Sequence, residues 1–153
     1  MGVKELVKRL EDNKLKIATA ESCTGGLLAK KITDISGASN VCELGVVTYT
    51  NRIKNEFLEI PNEVLDTVGA VSSECAILLA TNVSKLAKSD IGVGITGFAG
   101  PTGDKVGLVY VSIYLKSEDK AYVKGLMIDG DRDGIREVAT EEAVEMVLEL
   151  LKI

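Results

Sequence analysis

Apolar residues recur along this chain at two spacings in turn, and the alternation predicts helices and strands in succession. Val3, Leu6, Val7 and Leu10 fall at i, i+3, i+4, i+7, the spacing of an amphipathic helix over Val3 to Asn13. Leu15 to Ala20 then reads as a short strand, and Gly25 to Ile32 returns to helical spacing. Val41 to Thr50 is a second strand, centred on the β-prone Val46-Val47-Thr48-Tyr49. Two short helices follow. One spans Arg52 to Leu58 with Asn51 as its cap, and Ile60-Pro61 interrupts the chain after it. The other starts at Asn62, runs through Val68 and stops at Gly69. Ser72-Ser73-Glu74-Cys75 resembles a helix start, which Ala76 to Ala87 continues. Asp90 to Gly97 is a buried strand that runs into a glycine loop ending at Gly103. Val106 to Leu115 and Ala121 to Ile128 form a hairpin turning at Ser117-Glu118-Asp119-Lys120. A last helix covers Asp131 or Arg132 to Leu151.

Strand–helix alternation that ends in a hairpin predicts a three-layer α/β/α domain with a mostly parallel sheet. One such domain accounts for residues 1–153, with no internal repeat, low-complexity tract or linker. Ligands of these sheets bind beyond the carboxyl ends of the strands. Three polar or glycine-rich loops sit there, Glu21–Gly26, Tyr49–Lys54 and Thr96–Gly103, and they are expected to converge on one site.

Composition narrows the chemistry by what it lacks. A net charge of −5 and the absence of Trp argue against a nucleic-acid surface, which needs a basic stripe and stacking rings. No apolar stretch reaches the ~20 residues of a membrane span, and charged residues stand where a signal peptide would be apolar. Cytosol is the expected compartment. Cys23, Cys42 and Cys75 are odd in number and have no Cys-x-x-Cys spacing, which suggests reduced thiols and no metal site. The chain contains no histidine. That removes Ser-His-Asp and Cys-His nucleophile activation and leaves lysine as the leading substitute base.

The turn Ala20-Glu21-Ser22-Cys23-Thr24-Gly25-Gly26 joins the first strand to the second helix and carries a hydroxyl beside a thiol. Ser22 reads as a helix cap or a nucleophile, and spacing alone favours the cap. Cys23 is the stronger intrinsic nucleophile or a packed neighbour. Thr24, Gly25 and Gly26 offer backbone N–H groups to a phosphate or an oxyanion, or simply let helix and strand pack closely. Glu21 is a loop anchor or a solvated charge. Lys54 is a surface charge unless its pKa falls from about 10.4 to about 7–8, which demands burial or a neighbouring cation such as Arg52. Tyr49 is a half-buried strand residue or a proton relay. Thr96, Gly97 and Gly100 open a loop suited to an amide nest. Asp131 caps the last helix, and Arg132 reaches a phosphate or carboxylate, or solvent.

Across these loops the chain resembles the C-terminal domain of the CinA family, whose stand-alone members act as nicotinamide-nucleotide amidohydrolases. The matching residues are Ala18–Gly26, Gly45–Asn51 with Lys54, Gly69–Ser72, Thr96–Pro101, Val106-Gly107 and Gly130–Arg132, in order along nearly the whole chain. The resemblance implies a mixed sheet of about five strands. It implies hydrolysis of the carboxamide of nicotinamide mononucleotide to nicotinate mononucleotide and ammonia, with no cofactor or metal. It puts the catalytic serine on Ser22, the base on Lys54 and an associated tyrosine on Tyr49, and makes a homodimer plausible. The family's longer form has an N-terminal domain that no segment here matches. The stretch from Pro101 to Val106 is shorter than is common in relatives, and Val68 stands where histidine is frequent. A non-catalytic nucleotide-binding domain built on the same loops is the alternative reading, and an interaction module is a third.

Overall fold

The computed structural model describes residues 2–151; Met1, Lys152 and Ile153 lie outside the described residues. Helix α1 (Val3–Asp12) buries Leu6, Val7 and Leu10, the stripe its spacing predicts. Strand β1 (Ile17–Glu21) is buried along its whole length. Helix α2 (Leu27–Thr33) and a single 3₁₀ turn (Ala38–Asn40) lead to β2 (Cys42–Val47). Helices α3 (Asn51–Leu58), α4 (Asn62–Thr67) and α5 (Ser73–Ala87) precede β3 (Ile91–Gly97). The hairpin β4 (Leu108–Leu115) and β5 (Lys120–Met127) leads to α6 (Arg132–Leu151).

The five strands lie in the order β2-β1-β3-β4-β5. Strand β1 pairs in parallel with β2 and β3, whereas β4 is antiparallel to both of its neighbours, so only β4 opposes the common direction. The sheet is therefore mixed. Helices α1, α2 and α6 pack on one face, and α5 with α3 and α4 on the other, as the alternation of elements predicts. One apolar cluster joins Ile17, Val93, Ile95 and Val111 to the first group of helices. A smaller one joins Ala18 and Ala20 to Leu79 and Val83 of α5.

Contact between α5 and β3 depends on two glycines. A Cβ on Gly92 would stand 2.0 Å from the Ala80 carbonyl oxygen, and one on Gly94 2.5 Å from that of Ala76. Only a bare backbone lets the helix approach this closely. No helix among the described residues is long and apolar enough to cross a membrane.

One local expectation shifts. The cap of α3 is Thr50, whose hydroxyl accepts from the Ile53 N–H at 3.3 Å, and Asn51 is the first helical residue. Ser72 caps α5 by accepting from the Cys75 N–H at 3.1 Å, and Asp131 accepts from the Gly134 N–H at 2.8 Å at the start of α6. Both agree with the sequence reading.

Candidate active site

Because β1, β2 and β3 run in parallel, their carboxyl ends deliver the turn at Ser22, the loop at Tyr49 and the loop after Gly97 to one edge of the sheet. A pocket of about 210 Å³ lies there, lined among others by Ser22, Cys23, Tyr49, Lys54, Thr96 and Arg132. The three loops converge as expected.

At its floor Lys54 is 1% exposed. Its Nζ donates to Ser22 Oγ at 3.0 Å and to the Tyr49 carbonyl at 3.1 Å. Burial lowers the Lys54 pKa from its ordinary 10.5, against weaker opposing contributions from Cys75 and Cys23. Arg52 is not the cause: its side chain is exposed and pairs with Glu56 at 2.6 Å, one turn along the same helix. No carboxylate among the described residues pairs with Lys54. The ionisable groups that act on it are two thiols, both pushed up to about 11 by burial and so neutral near pH 7. A buried amine whose ionisable neighbours are neutral sheds its proton more readily.

The turn that carries Ser22 is held from behind. Glu21, fully buried, accepts from Thr24 Oγ1 at 2.6 Å and from the backbone N–H groups of Leu28 at 2.9 Å and Ala29 at 3.0 Å. Its carboxylate thus takes the orphan donors of the α2 N-terminus, the place where a bound anion would otherwise sit. This revises the reading of the turn. Thr24 is buried with its hydroxyl on Glu21, the Gly25 N–H donates to the Ser22 carbonyl at 3.0 Å, and Gly25 and Gly26 lie outside the pocket lining. Ser22 is not a cap either, because α2 begins after Gly26, which makes no side-chain cap. Its hydroxyl is directed to Lys54 instead. Cys23 lines the pocket as a protonated, buried thiol.

Tyr49 serves the site through two different atoms. Its carbonyl receives Lys54, while its ring is 55% exposed and its hydroxyl accepts from Arg132 Nη2 at 3.1 Å. The hydroxyl thus meets Arg132 and not the serine–lysine pair. Arg132 Nη1 also donates to the Gly100 carbonyl, so the guanidinium ties the β2 loop to the glycine loop. Thr96 donates to the Ala70 carbonyl at 2.9 Å, and Gly97 lines the pocket beside it.

Several residues join the site that the sequence reading does not assign to it. Ala70 and Val71 form one wall, placed by the Thr96 hydrogen bond. Cys75 sits near Lys54 in the first turn of α5. Arg136, one turn beyond Arg132, donates to the Thr24 carbonyl at 3.0 Å and covers the turn from outside. Only the helical spacing of Arg132 and Arg136 hinted at a shared face.

Fold and site together define an α/β domain with a buried serine–lysine pair at the carboxyl edge of its central strands. The chain belongs to the CinA C-terminal domain family, whose model matches residues 2–151. A protein of Thermoanaerobacter pseudethanolicus, provisionally named competence-damage inducible, is 50% identical over 146 residues, covering 93% of this chain and 35% of that protein. A CinA-like protein of Kosmotoga olearia is 44% identical over 146 residues, again 93% of this chain and 35% of the relative. The chain spans about a third of the length of these curated relatives. Among solved structures, the competence/damage inducible protein CihA of Agrobacterium tumefaciens superposes with a TM-score of 0.91 at 35% identity, covering 97% of this chain and 94% of that one. The competence damage-inducible protein A of Klebsiella pneumoniae gives 0.93 at 27% identity, covering 99% and 98%.

Proposed function

We propose that this domain is a metal-independent amidohydrolase that converts nicotinamide mononucleotide to nicotinate mononucleotide and ammonia. The observation that carries the proposal is the 3.0 Å contact between Ser22 Oγ and the buried, pKa-lowered amine of Lys54. In a chain without histidine, this pair supplies what nucleophilic catalysis needs: a hydroxyl and an adjacent amine whose pKa burial lowers. The identity of the amide rests on the family resemblance.

The Tyr49 carbonyl only accepts, so it takes one N–H of neutral Lys54 and leaves the lone pair free for the Ser22 proton. Lys54 removes that proton as Ser22 Oγ bonds to the carboxamide carbon, and the carbonyl π electrons move to oxygen. Backbone N–H groups of the turn other than those of Ser22 and Gly25, which donate to the Ile95 and Ser22 carbonyls, meet the oxyanion. The Lys54 ammonium then protonates the amide nitrogen, the C–N bond breaks and ammonia leaves an ester on Ser22. Lys54 next deprotonates a water that attacks the ester, and the carboxylate departs as Ser22 regains its proton.

The test is incubation of the purified chain with nicotinamide mononucleotide, scoring ammonia and nicotinate mononucleotide together. Stoichiometric release of both supports the reading. Saturable binding without release would overturn it in favour of a nucleotide-binding domain.

A further inference from the structure

Two opposite charges reach the turn that carries Ser22. One is the fully buried Glu21 carboxylate, which accepts from Thr24 Oγ1 and from the start of α2. The other is Arg136 of α6, whose Nη2 donates to the Thr24 carbonyl at 3.0 Å. That carbonyl also accepts from the Leu27 N–H at 3.0 Å, so two donors fix it. The guanidinium lies against bare backbone: a Cβ on Gly25, where φ is +61°, would stand 2.6 Å from Nη2. Arg136 forms no ion pair among the described residues, and its Nε is buried without a hydrogen-bond partner. Its charge is not spent on a carboxylate. The Cys23 thiol, next to Ser22, feels both groups: Glu21 works against a negative charge there, and Arg136 works for it.

An oxyanion formed on a substrate bonded to Ser22 is a negative charge at this same turn, next to a buried carboxylate. We propose that Arg136 is a positioning residue for the amide hydrolysis, holding the turn through the Thr24 carbonyl and offsetting Glu21 as the oxyanion forms. The inference rests on the amidohydrolase reading and extends its machinery to a residue outside the pocket lining. The Ser22 and Gly25 N–H groups are taken by the Ile95 and Ser22 carbonyls, which leaves those of Cys23 and Thr24 without a backbone acceptor among the described residues. Arg136 thus holds the residue that supplies one of the free donors. It acts on the turn and not on the base, because the groups that act on Lys54 are the two thiols. A preorganised donor set that costs no rearrangement as charge develops is worth most in a site closed to water.

Arg136→Met removes the charge and keeps an unbranched stem, whereas Arg136→Lys keeps the charge. Two measurements separate positioning from support of the fold. In ammonia release from nicotinamide mononucleotide, Arg136→Met should lower kcat by about 10–100-fold, with KM and the pH midpoint little changed, and Arg136→Lys should recover part of the loss. The second measurement is boron NMR with a pyridine boronic acid that carries boron at the ring position of the carboxamide. Ser22 Oγ bonds to boron, its proton passes to Lys54, and the boron becomes a tetrahedral anion that mimics the reaction intermediate. Ser22→Ala should form no adduct, and Arg136→Met should weaken the parent's adduct by a factor similar to its loss in kcat. Unchanged kcat and adduct affinity in Arg136→Met would overturn the assignment, as would a loss carried by KM, a moved pH midpoint, or no recovery in Arg136→Lys. If the adduct depends on Arg136 but the parent releases no ammonia, the substrate reading falls and the positioning role stands. Ammonia release that is indifferent to Arg136 gives the reverse. A parent chain that neither forms the adduct nor releases ammonia overturns both.

Discussion

Lys54 Nζ lies 3.0 Å from Ser22 Oγ, with its other contact, at 3.1 Å, on a carbonyl that can only accept. The two residues are 32 positions apart and meet because β1 and β2 pair in parallel, which brings the turn after one strand against the helix after the other. The geometry aims the amine at the hydroxyl, and burial keeps it unprotonated more readily than an exposed lysine.

A base of this kind sets the pH profile. Only the neutral amine accepts the Ser22 proton, so kcat/KM should climb with pH and level off once pH passes the lowered Lys54 pKa, below 10.5. Lys54→Arg should abolish activity across the range, because a guanidinium does not deprotonate in proteins. Steady-state rates between pH 5 and 10 check both expectations.

The same shift affects stability with a definite sign. Unfolded Lys54 holds its proton up to about 10.4, and folded Lys54 releases it at a lower pH, so between the two values the unfolded chain binds more protons. Stability contributed by this group therefore rises with pH through that window, and below it the full cost of a buried charge remains. Lys54→Met should be most stabilised relative to the parent at low pH, with the difference in Tm shrinking as pH approaches 10. A difference that is flat with pH would contradict the assignment.

Glu21 holds the Ser22 turn from beneath with three accepted hydrogen bonds. Glu21→Ala leaves the Leu28 and Ala29 N–H groups without their acceptor and should cost about 3 kcal/mol or more in urea unfolding. Activity should fall as well, since the Ser22 turn loses its anchor.

Tyr49 offers a clean separation of roles. Its carbonyl holds Lys54, which Tyr49→Phe preserves, and its hydroxyl only receives Arg132. The substitution should therefore lower kcat/KM by less than about tenfold. A proton relay through the hydroxyl would instead show a loss of about 10²–10⁴-fold.

The layered fold was legible because its signals are local. The stripe of α1, the β-prone Val46-Val47 and the glycine that ends α4 each declare an element without reference to the rest of the chain. The site was legible in part. Ser22 and Lys54 were named from the turn, the missing histidine and the family pattern, but their contact depends on strand order, which no single segment encodes. The turn itself shows why composition misleads: small residues signal free N–H groups, yet only the fold reveals that Glu21, one residue before Ser22, already accepts at the helix they open. Arg136 and Cys75 were illegible for a related reason. Each lies inside a regular helix, and its meeting with the turn or with Lys54 is purely tertiary.

Ammonia release from nicotinamide mononucleotide by the parent, Ser22→Ala and Cys23→Ala, measured side by side, tests the central claim most directly. Cys23, its thiol held near 11 by burial, is no thiolate nucleophile at neutral pH. The parent and Cys23→Ala should release ammonia at comparable rates, and Ser22→Ala should lose at least about 10³-fold. Full activity in Ser22→Ala, or a loss confined to Cys23→Ala, would contradict the serine–lysine mechanism.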